Sequence, residues 1–75
     1  MPLVDTRTIG SQFLHRRQTL RVSLEKVASL AKMHKATLSN IERGVRIPGI
    51  DTYQRIDAAL SFLEFQHQQS TTTAA

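Results

Sequence analysis

The chain has 75 residues, with 10 Lys and Arg against 6 Asp and Glu for a net charge of +4, and it has no cysteine. A length of this order holds one domain with a small core, and the lack of cysteine excludes disulfide staples, thiolate metal sites and cysteine nucleophiles. No apolar run approaches the roughly 20 residues of a membrane span and no apolar signal stretch follows the N-terminus, so a cytoplasmic protein without membrane contact is expected, and the basic balance favours a polyanionic partner.

Apolar residues recur at helical spacing and nowhere alternate as a half-buried strand requires, so the expected fold is all α. The first helix is expected from about Thr8 to Thr19, with Asp5 or Thr6 near its start and Ile9 and Phe13 four apart on one face. Leu20 and Val22 dock the connection that follows. Ser23 is a good N-cap and Glu25 suits the positive end of a second helix. The inward face of that helix is Val27, Ala28 and Ala31.

Lys32, Met33 and His34 separate this helix from a third, whose inward residues are Leu38 and Ile41. Gly44 suits a left-handed position after it, and Pro48 keeps helix from resuming in the loop from Val45 to Pro48. Gly49 then caps a fourth helix, with Asp51 in its first turn and a stripe of Ile50, Tyr53, Ile56 and Leu60. No Pro or Gly decides whether this helix breaks near Ser61 or continues through Phe62, Leu63 and Phe65. The expected organisation is one domain over residues 1–69, with a helix-turn-helix over 23–43 and a disordered tail over 70–75.

Little in the chain points to catalysis. His15, His34 and His67 lack the i, i+4 spacing of a helical metal pair, no glycine loop is built to cradle a phosphate, and Asp57 and Glu64 read as a solvated helix face. No enzyme activity, metal or cofactor is expected. Positive charge instead gathers between Lys32 and Arg46, where Lys32, Lys35, Arg43 and Arg46 stand against Glu42 alone and His34 adds a partial charge.

Two short helices joined by a three-residue turn and followed by a basic loop are the geometry that sets one helix in a major groove. The run VSLEKVASLAKMHKATLSNIERG resembles the lambda repressor and Cro type of helix-turn-helix, the XRE family. The similarity extends from about Ile9 to Leu60 through IERGVRIPGIDTYQRIDAAL, and its most specific elements are Ala28, Ile41-Glu42-Arg43-Gly44 and Pro48. It implies a compact four- or five-helix lambda-repressor-like domain and a partner of double-stranded DNA. The third helix would be the recognition helix, with base contacts from Lys35, Ala36, Thr37 and Asn40. Lysine can donate to guanine, asparagine can pair with adenine, and Ala or the Thr methyl can touch a thymine methyl. Phosphate contacts would come from Lys32, His34, Arg43 and Arg46 with backbone amides at the helix starts. Arg17 and Glu42 occupy the positions of a largely buried structural ion pair in the family.

Three positions depart from the family pattern. Leu24 replaces a glutamine that contacts the phosphate backbone, Lys32 replaces the turn glycine, and His34 replaces a serine cap. Proteins of this motif act as two-fold dimers on half-sites about 34 Å apart. The expected homodimer surface is Phe62, Leu63 and Phe65, which a small core does not easily absorb. The expected function is a sequence-specific transcriptional regulator, a repressor by occlusion. The alternatives are an antitoxin with a protein partner, or a protein-interaction module that kept the fold and lost its DNA.

Overall fold

A computed structural model describes the backbone of residues 6–74 and the side chains of residues 9–68. The chain forms four helices, α1 (Thr6–Leu20), α2 (Leu24–Ala31), α3 (Lys35–Glu42) and α4 (Ile50–Ala74), and the described residues contain no strand. The fold is the all-α one expected. α1 begins two residues earlier than the sequence suggested, and Asp5, proposed for its start, lies outside the described residues.

The core is Phe13 from α1, Val27, Ala28 and Ala31 from α2, Leu38 and Ile41 from α3, and Ile56, Ala59, Leu60 and Leu63 from α4. These positions recur at spacings of three and four within each helix, which makes each set one inward stripe. α2 and α3 are each eight residues long, too short to persist alone, so burial of these stripes is what maintains them. Ile9, Leu20, Val22, Leu24 and Met33 pack around the rim of the core.

The fourth helix differs from its expected form in three ways. It does not break at Ser61 and continues to Ala74, because no glycine or proline interrupts it. That course takes in residues 70–74 of the expected tail, whose side chains lie outside the described residues. Its inward stripe is Ile56, Ala59, Leu60 and Leu63, and Ile50 is 78% exposed, since it opens the helix where nothing packs above it. Tyr53 is half-exposed and leans its ring against Phe13 at a centroid distance of 5.1 Å.

Two approaches hold α1 in place. Gly10 faces the end of α3 so closely that a Cβ there would lie 2.1 Å from the Ile41 carbonyl oxygen. On the other side, the Arg16 guanidinium grips α4. Its Nε and Nη2 donate to Glu64 at 2.9 and 2.8 Å, its Nη1 to Asp57 at 2.8 Å and its Nη2 to Ser61 at 3.3 Å.

Candidate nucleic-acid interface

The orientation of α3 relative to α2 is set by the turn between them. Ser23 caps α2, its Oγ accepting from the Lys26 amide at 3.0 Å. Lys32 ends the helix in the left-handed region, at φ 58° and ψ 52°, a conformation that costs a side-chain-bearing residue about 1 kcal/mol. The reversal lets Met33 pack on the core and delivers His34 as the residue before α3. His34 is extended and makes no side-chain capping bond, so the amides at the start of α3 have no side-chain acceptor there.

At its other end α3 is closed by its own carbonyls. Gly44, at φ 78°, donates its amide to Ile41, while the amides of Val45 and Arg46 both donate to the Asn40 carbonyl at 2.9 and 3.2 Å. The loop is thereby folded back under α3, and Arg46 is held close to the helix end. With Leu38 and Ile41 buried, the outward face of α3 presents Lys35 and Ala36 as exposed residues and Thr37 and Asn40 as half-buried ones. Lys32, His34, Arg43 and Arg46 are exposed around this face.

Arg17 and Glu42 meet between α1 and α3. The arginine Nε and Nη2 donate to the two carboxylate oxygens at 2.8 and 3.0 Å, and Nη1 donates to the Val22 carbonyl at 3.1 Å. The Glu42 side chain is only 6% exposed, so its charge is almost wholly compensated by the protein. One bidentate bridge therefore fixes α3, the end of α1 and the α1–α2 connection together.

The remaining acids among the described residues are also paired. Asp57 and Glu64 bind Arg16, Asp51 binds Arg55, and Glu25 meets Lys35 at 3.4 Å. The hydrogen bond from Arg16 holds the Glu64 carboxyl below the ordinary carboxylate range, and the same bond, with that to Asp57, raises the guanidinium above its usual value. Among the described residues, Arg21, Lys26, Lys32, Arg43 and Arg46 have no acidic partner. Three of these five surround α3. Pairing elsewhere thus turns a modest net charge into a cationic surface centred on one helix.

Asn40 and Arg43 touch, the guanidinium donating to Asn40 Oδ1. That oxygen is one of the two atoms an asparagine uses on adenine, so a base contact would exchange one hydrogen bond for another. Leu24 packs partly against the core. Of the three residues expected to form a dimer surface, Phe62 and Phe65 are 50% and 59% exposed, but Leu63 belongs to the core because it continues the Ile56, Ala59, Leu60 stripe.

Several features escaped sequence reasoning. The Arg16 clamp was legible in part, since Asp57, Ser61 and Glu64 recur at four and three on one helix face. Nothing local marked the close approach at Gly10. Val45 and Ile47 on the loop after α3, and Ile50 at the start of α4, are apolar residues each about 70% exposed or more. Another apolar surface is a groove between α2 and α4, about 560 Å³ in volume. No helix among the described residues is long and apolar enough to cross a membrane, and those residues hold no cluster of three or more metal-ligating side chains.

A family model described as helix-turn-helix matches residues 15–65. No curated protein matches the chain.

Proposed function

From the membership of this chain in the lambda repressor and Cro type of helix-turn-helix proteins, a family of DNA-binding regulators, we propose that it is a sequence-specific repressor that occupies a two-fold symmetric operator as a dimer. The observation that carries the reading is the distribution of charge. Every acid among the described residues is paired, while Lys32, Arg43 and Arg46 stand free of acids around the exposed face of α3.

In this reading α3 enters the major groove. Lys35, Ala36, Thr37 and Asn40 meet base edges, and Lys32, His34, Arg43 and Arg46 meet phosphates on either side. The uncapped amides at the start of α3 also suit a phosphate oxygen. Lys35 is tethered only by a long contact to exposed Glu25, so freeing it for a base costs little. The Arg17–Glu42 bridge is scaffold and sets the angle at which α3 is presented. Two copies joined through Phe62 and Phe65 would read half-sites about 34 Å apart.

Selection of binding sites from a randomised duplex pool tests this directly. Expected is a symmetric site whose binding is lost on Asn40→Ala or Lys35→Ala. Affinity should also fall steeply with salt, and Arg46→Ala should reduce the log–log slope by about 1. Phe65→Glu should weaken self-association and operator binding while preserving helix content. Absence of any enriched sequence, or indifference to the α3 substitutions, would rule the reading out. The half-exposed Phe62 and Phe65 also favour a second reading as an antitoxin or protein-interaction module. Stoichiometric co-purification of a different protein, with binding insensitive to salt, would select it.

A further inference from the structure

Beside its core-facing stripe α4 carries another. Arg55, Ala58, Phe62 and Phe65 follow one another at spacings of three and four, so they share one side of the helix, and all are exposed. This side borders the groove between α2 and α4. Leu30 and Ala31 form one wall, Ala58, Ala59 and Phe62 the other, and Lys32 and Arg55 stand at the rim. α3 supplies no lining residue, so filling the groove leaves the DNA-facing helix free.

A two-fold contact brings a patch against its own copy, and therefore requires projection and recess on the same patch. Here they are one helical turn apart, as Phe62 and Ala58. Resting on the dimeric reading above, we propose that the groove between α2 and α4 receives Phe62 from a second copy of this chain, the two α4 helices running antiparallel about an axis near Leu60. Each Phe62 then covers the partner's Ala58, and each Phe65 lies against the partner's Arg55.

Charge decides the direction of pairing. Parallel helices would set Arg55 against Arg55 and Phe62 against Phe62, with the recess at Ala58 unfilled. Antiparallel helices place a guanidinium over an aromatic face and bring no like charges together. Asp57 and Glu64, on the neighbouring side of α4, are already neutralised by Arg16 within the same chain. Asp51 lies one turn from Arg55 and pairs with it at 3.1 Å, an exposed contact that positions the guanidinium at the end of the stripe.

Sedimentation equilibrium, free and on the selected duplex, tests the arrangement with the wild-type chain, Phe62→Ala, Ala58→Phe and the double variant. Circular dichroism checks that each remains helical. Phe62→Ala is expected to raise the dimer dissociation constant on the order of a hundredfold, two half-exposed rings being lost per dimer. Ala58→Phe should weaken the dimer similarly by setting ring against ring. The double variant exchanges projection and recess and should recover association to within about tenfold of wild type. Arg55→Glu, an exposed change that leaves the core untouched, should weaken association about fivefold. A dimer indifferent to Phe62→Ala but dissolved by Ile47→Asp would move the interface to the loop before α4. That result overturns the groove and leaves the dimeric reading standing. Failure of the double variant to recover overturns the antiparallel register and the proposal with it. A wild-type chain that is monomeric both free and on DNA ends both readings.

Discussion

Replacing Gly10 by alanine sets two effects of opposite sign against each other. Alanine in a helix interior gains about 1 kcal/mol over glycine, from lower backbone entropy in the unfolded chain and better shielding of the helix. At this position the added Cβ would stand 2.1 Å from the Ile41 carbonyl oxygen and 3.0 Å from that of Glu42, where ordinary contact begins near 3.4 Å. Both obstacles are backbone, so no side-chain rotation relieves them. α1 and α3 would have to separate by roughly 1 Å, and close-packed interiors resist that displacement. The separation would also pull on the bidentate Arg17–Glu42 bridge at 2.8 Å and reopen the packing of Phe13.

Overpacking of this kind costs about 1–3 kcal/mol. With a backbone obstacle the upper part of that range applies, which leaves a net loss of about 2 kcal/mol after the helical gain. For a chain of this size the melting temperature should fall by roughly 10 °C. Thermal and urea unfolding followed by far-ultraviolet circular dichroism measure it. Ser11→Ala, at the exposed neighbouring position, isolates the propensity gain and should raise stability by a few tenths of a kcal/mol. If Gly10→Ala melts at or above the wild-type temperature, the close helix approach is not what glycine serves here, and the placement of α1 on α3 is wrong.

Three other outcomes are expected. Arg17→Ala should destabilise by about 3–5 kcal/mol because it strands a buried carboxylate. Glu42→Ala should cost less, since Arg17 keeps its bond to the Val22 carbonyl and is more exposed, and a double-mutant cycle in urea should show strong coupling between the two. Lys32→Gly should stabilise by about 1 kcal/mol by relieving the left-handed backbone, yet weaken DNA binding by removing a cation; a lower melting temperature would contradict the φ of 58°. The Arg16 bond lowers the Glu64 pKa in the folded chain, so its stabilisation is complete above the ordinary carboxylate value near about 4.3 and is lost as pH falls through the lower folded value. Unfolding midpoints of wild type and Glu64→Gln should therefore converge as acid is added, and parallel profiles would sink the clamp.

The local geometry around α3 was largely legible in the sequence. Ser23, Lys32 and Gly44 act through local backbone chemistry, a capping oxygen, a reversal and a left-handed stop, and such effects are encoded in a few adjacent residues. The inward stripes of α2 and α3 follow from their spacing, and with them the outward faces. The fourth helix resisted the same treatment. Its apolar residues fall on more than one side, and periodicity alone does not say which side meets the core. Leu63 was therefore expected outside and Ile50 inside, and their positions are the reverse. Phe62 and Phe65 share the composition of core residues and differ only in having no helix above them.

By itself the sequence determined the helices, the turn between α2 and α3, and the gathering of cations around α3, because each depends on neighbours within a turn or two along the chain. The packing of the helices settles the rest: that the described acids are consumed in internal pairs, that Gly10 lies against a distant carbonyl, and that α2 and α4 leave a groove beside Phe62. Those depend on the distances between helices, and a distance between residues 31 or 48 positions apart is set by how all the stripes pack at once.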